Sequence, residues 1–356
     1  MRRARNHSAE MGDELDTLIG FLGDTSSSTR ARAAEFIQGL TGSDVGISKL
    51  ATRAGACLPK LLHLLGAAAA ESKYAATTLV NLTVIPEVAT LAVEKGAVER
   101  VMELLRENTI PADLLLKLLT NLTNTDGGVS VLTQEGKPLE GFFISKVVHL
   151  LAMAKPPSMY DYAASIITNI TRHPIGRRVF LDPKRGLMCM ALASLIPGQS
   201  EVRRVGVAAA IRNCCLDDLS CTRLLATPCA APSGNNSFDV CCSTSSTHSY
   251  AEGGLEAVRS LIRIVSDTTK SRELSDAVRQ CCAEAIAALA RQAVGRDALV
   301  ACDAPQLIRV GYTEEDHAET CAALEATATI FMSHGLVPEE LQPPEGLRQA
   351  EILEGE

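Results

Sequence analysis

The sequence predicts an all-α protein built from repeated helical units. Of its 356 residues, 46% are hydrophobic but only 3% are aromatic, and tryptophan is absent. Alanine and leucine make up much of the apolar part, and both favour helices over strands. A short motif also recurs. At residues 78–83, 118–123 and 166–171, an apolar run is followed by Asn, one apolar residue and Thr. Together these observations favour a solenoid, in which each helical unit packs against its neighbours.

A glycine that opens an amphipathic run precedes each of these asparagines by 25 to 28 residues. The pairs are Gly55 with Asn81, Gly96 with Asn121, Gly141 with Asn169, and Gly186 with Asn213. Successive asparagines are 40, 48 and 44 residues apart. Helical arrays of the armadillo and HEAT types repeat every 40–47 residues or so. One structural unit that repeats therefore explains the pattern better than three chance glycosylation sequons.

Each unit is predicted to contain at least two helices. Leu58, Leu61, Leu62 and Leu65 recur at the spacing of a one-sided helix. A second helix is predicted over residues 74–83, and Gly or Pro marks the turn that follows such helices. At the two ends of the array, Gly39 and Ala288 stand where Asn is expected. Terminal repeats are usually atypical because they cap the stack.

Composition and spacing divide the chain into five regions. Asn213 and the next opening glycine, Gly254, are 41 residues apart, whereas the distance from a motif Asn to the next opening glycine is 15 to 20 residues in the other units. The surplus is rich in Ser, Gly, Pro and Asn, so it buries too little apolar surface to offset its ordering entropy. The predicted regions are a flexible arm at 1–12, helical repeats at 13–227, a disordered Cys/Ser-rich insertion at 228–252, further repeats at 253–335 and an acidic tail at 336–356.

Charge and cysteine usage indicate the compartment and the class of partner. The net charge is −8, which argues against a general binder of nucleic acid or anionic membrane. The first residues lack a secretory signal, and no window has about 18 uninterrupted apolar residues. Many of the twelve cysteines lie in helical apolar runs, which is typical of reduced, buried thiols. We therefore predict a cytoplasmic protein whose three Asn-x-Thr sequons carry no glycan.

The sequence predicts neither an enzyme nor a bound cofactor. The sequence lacks a phosphate-binding glycine loop, a paired-histidine zinc helix and a nucleophile elbow. The densest set of metal-ligand side chains lies in the insertion, but its adjacent cysteines lack the usual zinc spacing. That set is Cys229, Cys241, Cys242 and His248. The doublets Cys214–Cys215 and Cys281–Cys282 lie on predicted helices, where core packing is the expected role.

The run "GACLPKLLHLL" followed by "TTLVNLT" resembles the armadillo repeat. The resemblance implies a right-handed superhelical α solenoid in which the Asn lines a concave groove and binds the backbone of an extended peptide. Asn81, Asn121, Asn169 and Asn213 occupy that position. The alternative is that each Asn caps or ties down the end of its own helix. Armadillo proteins that import nuclear cargo carry Trp four residues earlier, where this chain has Thr77, Lys117, Ser165 and Ala209.

Two blocks, "DYAASIITNITRHPIGRRVFLDPKRGL" at 161–187 and "RRVGVAAAIRNCC" at 203–215, resemble the eukaryotic armadillo-like Hgh family. The resemblance is good over residues 50–226 and implies a non-catalytic cytosolic adaptor or chaperone cofactor. The implied client is translation elongation factor two, and the implied associates are the chaperonin and heat-shock chaperone machinery. Two alternatives stay open: an armadillo scaffold for signalling or cytoskeletal partners, and an RNA-binding helical repeat, which the low aromatic content disfavours.

A concentration of positive charge gives a second candidate partner site. Residues 172–212 hold eight basic side chains and two acidic ones, in a chain that is acidic overall. The basic residues are Arg172, Arg177, Arg178, Lys184, Arg185, Arg203, Arg204 and Arg212. Such a segment suits an acidic protein surface. The alternative is a solvated ridge whose charges meet Asp and Glu of neighbouring repeats.

Overall fold

The computed structural model describes residues 14–107, 110–155, 157–228 and 250–337, and all regular structure in those ranges is helical. The α-helices are α1 (14–21), α2 (Ser27–Leu40), α3 (Asp44–Ala51), α4 (Ala54–Leu64), α5 (Ala69–Leu82), α6 (Pro86–Glu94), α7 (Ala97–Glu107), α8 (Ala112–Leu122), α9 (Asp126–Thr133), α10 (Phe142–Met153), α11 (Tyr162–Thr171), α12 (Pro174–Phe180), α13 (Leu187–Leu192), α14 (Glu201–Cys214), α15 (Asp218–Leu225), α16 (Glu252–Ser266), α17 (Asp276–Arg291), α18 (Ala293–Ala301), α19 (Ala304–Tyr312) and α20 (Ala318–Ser333). The predicted all-α architecture is confirmed.

The helices follow one another as triplets, which we call the first, second and third helix of a repeat. The complete triplets are α3–α4–α5, α6–α7–α8, α9–α10–α11, α12–α13–α14, α15–α16–α17 and α18–α19–α20, and α1–α2 form a partial repeat before them. The chain divides into two compact units, Met1–Gly176 and Arg177–Glu356. In the first unit the third helices pack in the order α2, α5, α8 and α11. In the second unit they pack in the order α14, α17 and α20.

Glycines fix the helix boundaries where the backbone requires them. Gly96, Gly141 and Gly186 directly precede second helices and have positive φ angles of 81°, 74° and 63°. Glycine adopts this conformation without a Cβ penalty, which explains why it opens these helices. Another set lies at the third position of first helices, against the carboxyl end of the preceding third helix, where a Cβ would collide with a carbonyl oxygen. That set is Gly46, Gly128, Gly176 and Gly295.

The apolar core runs between the helices of each unit. Leu58, Leu61, Leu62 and Leu65 of the predicted amphipathic run are all buried. The third helices α5, α8, α11, α17 and α20 pack against the second helices of their own repeats, and neighbouring third helices within one unit pack against each other. This two-sided packing is the source of stability in a repeat protein, because a single repeat cannot bury its own apolar face.

The five predicted regions are only partly open to comparison. Helices occupy most of 14–228. Helix α16 begins at Glu252, which is the last residue of the predicted insertion. The predicted flexible arm at 1–12, residues 229–249 of the insertion and residues 338–356 of the tail lie outside the described residues. The boundaries therefore stay predictions.

Candidate protein-interaction surface

The asparagines of the repeated motif bind the preceding repeat. Asn121 Nδ2 donates to the Val80 carbonyl at 2.9 Å and to Thr83 Oγ1 at 3.2 Å. One repeat later, Asn169 Nδ2 donates to the Thr120 carbonyl at 3.0 Å and to Thr123 Oγ1 at 3.1 Å. One repeat earlier, Asn81 Nδ2 donates to Thr41 Oγ1 at 2.8 Å. The same amide nitrogen therefore links three consecutive pairs of third helices.

The threonine of the motif accepts a hydrogen bond from the Asn of the next repeat. Thr83 Oγ1 donates its own proton to the Leu79 carbonyl at 2.7 Å, one turn back in α5. Thr123 Oγ1 donates likewise to the Leu119 carbonyl at 2.8 Å. Because the hydroxyl proton is used within its own helix, the oxygen lone pairs stay available to accept from the Asn of the following repeat. We call this arrangement the Asn–Thr relay.

The relay explains why Asn-x-Thr recurs in phase with the repeat. A glycan is attached at Nδ2 of Asn, which is the atom that donates to the preceding repeat in all three Asn-x-Thr sequons. The fold and a glycan would therefore compete for the same atom. Asn169 and Asn213 are buried, with 9% and 3% of their surface exposed. The role of the four asparagines in binding a peptide stays a prediction. Asn81, Asn121 and Asn169 do bind a helix end, but it is the end of the preceding third helix and not of their own.

The residues of the basic block occupy different environments. Arg177 Nη2 lies 3.0 Å from Asp217 Oδ2, and its Nε donates to Ser220 Oγ at 3.0 Å. Arg185 Nε lies 3.1 Å from Asp182 Oδ2. Arg203 is buried, whereas Arg172, Arg178 and Lys184 are exposed.

Two further arginines of the block bind carboxylates that are distant in sequence. Arg204 makes a bidentate pair with Glu273, at 2.7 Å from Nε and 2.8 Å from Nη2. Arg212 Nη1 lies 2.6 Å from Glu284 Oε2. Internal ion pairs therefore neutralise part of the predicted electropositive surface. A partner role for the block stays a prediction, and Arg178 and Lys184 are the members of the second unit whose exposure suits it best.

A set of partly exposed side chains on the third helices of the first unit was missed by sequence reasoning. Tyr74 and Tyr162 each stand seven residues before the motif Asn, while Glu35 and Lys117 stand four residues before Gly39 and Asn121. Tyr74 Oη donates to Glu35 Oε1 at 3.4 Å, across the α2–α5 pair. Lys117 Nζ lies 5.1 Å from the centroid of the Tyr162 ring, across the α8–α11 pair.

These four residues, which we call the tyrosine row, share helix positions and link neighbouring repeats in the same way. Tyrosine is enriched among the residues that dominate protein–protein binding energy. Lys117 lies over the Tyr162 ring and also pairs with Asp113, whose Oδ2 is 3.5 Å from the lysine Nζ. The signal was present in the sequence, since positions seven and four residues before the Asn lie on one side of a helix.

A second candidate surface lies between the second helices α7 and α10. A groove of about 850 Å³ separates them, and its apolar lining includes Phe142, Phe143 and Met153. Its rim carries an Arg100–Glu103 ion pair at 2.6 Å, and Lys146 Nζ lies 5.5 Å from the centroid of the Phe142 ring. The groove therefore offers the same kind of lysine–aromatic contact as the tyrosine row, on a different row of helices.

Seven of the nine cysteines among the described residues are buried, and Cys189 and Cys321 are partly exposed. Burial raises the pKa of Cys57 and Cys221 to about 12, and it raises the pKa of Cys215 and Cys282 well above the usual range for a thiol. These thiols stay protonated at neutral pH, so they lack the thiolate that nucleophilic attack or metal binding requires.

The described residues contain no group of three or more His, Cys, Asp or Glu side chains placed to hold a metal ion. Cys229, Cys241, Cys242 and His248 of the insertion lie outside them. A membrane span would need a helix both long and apolar, and none is found in the described part of the chain.

Comparisons with known proteins agree with this architecture. A domain of unknown function, DUF383, matches residues 103–233. The "Protein HGH1 homolog" of Dictyostelium discoideum is 30% identical over 153 residues, which is 41% of this chain and 43% of the relative. The protein of the same name from Xenopus tropicalis is 32% identical over 213 residues, 56% of each chain. The matches thus span about half the length of these curated relatives.

Among solved structures, a chain from a study of the interaction between cadherin and β-catenin aligns with a TM-score of 0.61 at 12% identity. The alignment covers 88% of this chain and 51% of that one, and the likeness concerns the fold alone. The structural neighbours are armadillo-repeat proteins, so the predicted armadillo-like fold is confirmed. The curated relatives confirm the predicted resemblance to the Hgh family.

Proposed function

We propose that this chain, a helical-repeat protein of the HGH1 family, is a non-catalytic adaptor that binds a client protein on the tyrosine row of its first unit. The observation that carries the proposal is the pairing of partly exposed side chains across repeats, Tyr74 with Glu35 and Lys117 with Tyr162. These contacts hold the side chains in place before any partner arrives. A partner therefore binds a preorganised surface, which reduces the entropy cost of association.

The Asn–Thr relay supports this choice of surface. An extended peptide that used the asparagines would have to displace hydrogen bonds between repeats, and each displaced bond leaves a polar group to be satisfied again. The tyrosine row lies on the same third helices but leaves the relay intact. Client binding there does not oppose the stability of the array.

The client we propose is translation elongation factor two, as the resemblance to the Hgh family implies, with the chaperonin and heat-shock machinery as further partners in the cytoplasm. Arg178 and Lys184 would add attraction for an acidic part of the client. Exposed charges of this kind act mainly on the association rate and on its salt dependence. Neither nucleic acid nor a membrane is part of the proposal.

The test compares two matched double variants of the full chain. Lys117→Ala with Tyr162→Ala removes the lysine–aromatic pair of the tyrosine row, and Lys146→Ala with Phe142→Ala removes the equivalent pair from the α7–α10 groove. Binding to purified elongation factor two is measured by titration calorimetry, after both variants are shown to melt like the parent. We expect the first variant to bind at least about tenfold more weakly, as loss of a hot spot does, and the second to bind within about twofold of the parent.

The outcomes separate the surface from the client. If the control variant loses binding and the row variant keeps it, the client docks in the groove and the tyrosine row is the wrong surface. If the parent chain itself does not bind elongation factor two, the proposed client is wrong. A third variant, Arg178→Ala with Lys184→Ala, tests the exposed part of the basic block: we expect a slower association at low salt and little change at high salt.

A further inference from the structure

The groove between the second helices α7 and α10 exposes apolar side chains that have no role in the function proposed above. Phe142 and Met153, at the two ends of α10, are 43% and 70% exposed. Leu105, Phe143 and Leu150 continue the apolar lining and are partly buried. An exposed apolar patch with a charged rim is typical of a surface that another molecule covers.

The second unit shows that second helices of consecutive repeats can close such a space. There α16 packs directly on α19, and a Cβ on Gly311 of α19 would collide with the Val265 carbonyl oxygen of α16. Gly311 stands eight residues after Asp303, the residue with positive φ that precedes α19. Eight residues after Gly141, which has positive φ and precedes α10, stands His149, and it lines the groove. A side chain at this position prevents the close approach of α10 to α7, so the groove stays open.

The size of the groove matches a short helix. Its lining follows α10 from Phe142 to Met153, a distance of about 16 Å, which is about three turns of helix. Its volume of about 850 Å³ is sufficient for several apolar side chains. An amphipathic helix that binds between two helices places side chains spaced by three, four and seven residues into such a groove.

The charges of the groove indicate the chemistry of the partner. Arg106 and Lys146 line the groove and are exposed, and neither has a carboxylate within ion-pair distance among the described residues. Of the two acidic residues in the lining, Glu103 is already paired with Arg100 at 2.6 Å, and Glu99 lies in the first turn of α7. Two cations therefore stay open to a partner, in a chain whose net charge is −8. Carboxylates that flank an apolar side would complement them.

We propose that the α7–α10 groove binds an amphipathic helix of a partner protein, with bulky apolar residues on one side and Asp or Glu beside them. The apolar side of that helix contacts Phe142, Phe143 and Met153, and its carboxylates pair with Arg106 and Lys146. The groove lies on second helices and the tyrosine row on third helices. It is therefore a second binding surface, and it does not depend on the client proposed above.

The probe for the test is a fluorescein-labelled synthetic helix of about twelve residues, with Leu along one side and Glu at the other positions. A side-chain lactam keeps it helical, because so short a helix is marginal in water. Its controls are a scrambled peptide of the same composition and a peptide with Lys in place of each Glu. Titration with the full chain, followed by fluorescence anisotropy, should show binding at least about tenfold tighter for the probe than for either control. Equal binding of the scrambled peptide, or a preference for the Lys peptide, would overturn the proposal.

A charge reversal locates the acidic side chains of the probe. Arg106→Glu with Lys146→Glu changes two exposed residues, and melting like that of the parent is checked first. We expect this variant to bind the Glu probe at least about tenfold more weakly than the parent does, and to bind the Lys peptide more tightly. Unchanged binding of both peptides would contradict pairing at these two positions.

A matched pair of variants locates the apolar contact. Lys146→Ala with Phe142→Ala removes the cation–aromatic pair of the groove, and Arg32→Ala with Phe36→Ala removes an exposed cation–aromatic pair on α2. We expect the first to weaken binding of the Glu probe at least about tenfold and the second to change it by less than about twofold. Equal loss in both, or no loss in either, contradicts the groove as the site. A parent dimer that Met153→Asp dissociates in sedimentation would show that a second copy of the chain occupies the groove, and would also overturn the proposal.

Discussion

The two units of the chain join their neighbouring third helices through different kinds of polar contact. In the first unit, the Asn–Thr relay joins consecutive third helices through neutral hydrogen bonds near their carboxyl ends. In the second unit the relay is interrupted, since Cys215 replaces the motif Thr and Ala288 replaces the next Asn. Gln292 Nε2 donates to the Cys215 carbonyl at 2.7 Å and provides one bond in its place.

Ion pairs join the third helices of the second unit. Arg204 and Arg279 are each the fourth residue of a third helix, and each binds a glutamate just before the next third helix. Arg279 Nε lies 2.7 Å from Glu315 Oε2, and the two side chains are 5% and 1% exposed. In the first unit, Arg30 is also the fourth residue of its helix and pairs with Glu71 at 3.1 Å.

The difference shows that the same helix arrangement can be stabilised by neutral hydrogen bonds or by buried ion pairs. A neutral relay has a small desolvation cost and responds little to pH or salt. A buried ion pair has a large desolvation cost, which only good geometry and additional hydrogen bonds offset. Loss of one partner, or acid, should therefore act strongly at the ion pairs of the second unit and at the Arg30–Glu71 pair of the first, and weakly at the Asn–Thr relay.

The largest effect is expected from Arg279→Ala. This change leaves the Glu315 carboxylate buried without its main partner, so we expect a loss of about 3–5 kcal/mol in the unfolding free energy of the second unit. Denaturant unfolding, with hydrogen exchange to localise the change to α17 and α20, measures it. The double change Arg279→Met with Glu315→Leu is the control: it removes both charges and should restore most of the loss. A double variant as unstable as the single one would contradict this account.

Acid should weaken the same contact over a defined range. Burial alone would raise the pKa of Glu315, but hydrogen bonds from Arg279 and the His317 amide, with the charge of Arg279, lower that pKa to about 2. A carboxyl whose pKa is depressed by folding stabilises the protein above the unfolded pKa near 4.5, and that contribution disappears as the pH falls towards 2. The difference in unfolding free energy between the parent and Glu315→Gln should therefore shrink from pH 4.5 to pH 2. A difference that stays constant over this range would count against the pairing.

A smaller effect is expected in the first unit from Asn169→Ala. The change leaves the Thr120 carbonyl without its inter-repeat donor, and we expect a loss of about 1–3 kcal/mol. Asn169→Asp keeps the shape but removes the donor, so it should be at least as destabilising. Asn124→Ala, on an exposed Asn just after α8, is the control and should change the free energy by less than about 0.5 kcal/mol. Stability equal to that of the parent in Asn169→Ala would show that the relay carries no energy.

The comparison also explains what the sequence could and could not predict. Gly96, Gly141 and the motif asparagines were visible because the repeat places them at a fixed spacing, and local backbone geometry requires those residue types. The partners of Arg204 and Arg212 were not visible, since Glu273 and Glu284 follow them by 69 and 72 residues, beyond the predicted insertion. A count of charges over 172–212 therefore predicted a more positive surface than the structure has. Acidic residues that are distant in sequence but close in the fold neutralise these charges, and a count over a short stretch of sequence does not include them.

The smallest effect is expected from Thr83→Val, which separates the two halves of the relay. Valine keeps the β-branched shape but removes Oγ1, so the Leu79 carbonyl loses a donor and Asn121 loses an acceptor. Asn121 keeps its bond to the Val80 carbonyl, and the Leu79 carbonyl keeps the backbone amide of residue 83 at 2.9 Å. We expect a loss of about 0.5–1.5 kcal/mol in the unfolding free energy. Thr83→Ser retains Oγ1 and should recover part of that loss. If valine costs nothing while Asn121→Ala costs more than about 1 kcal/mol, the energy of the relay lies in the bond from Asn to the backbone carbonyl, and the threonine serves only to shape the helix end.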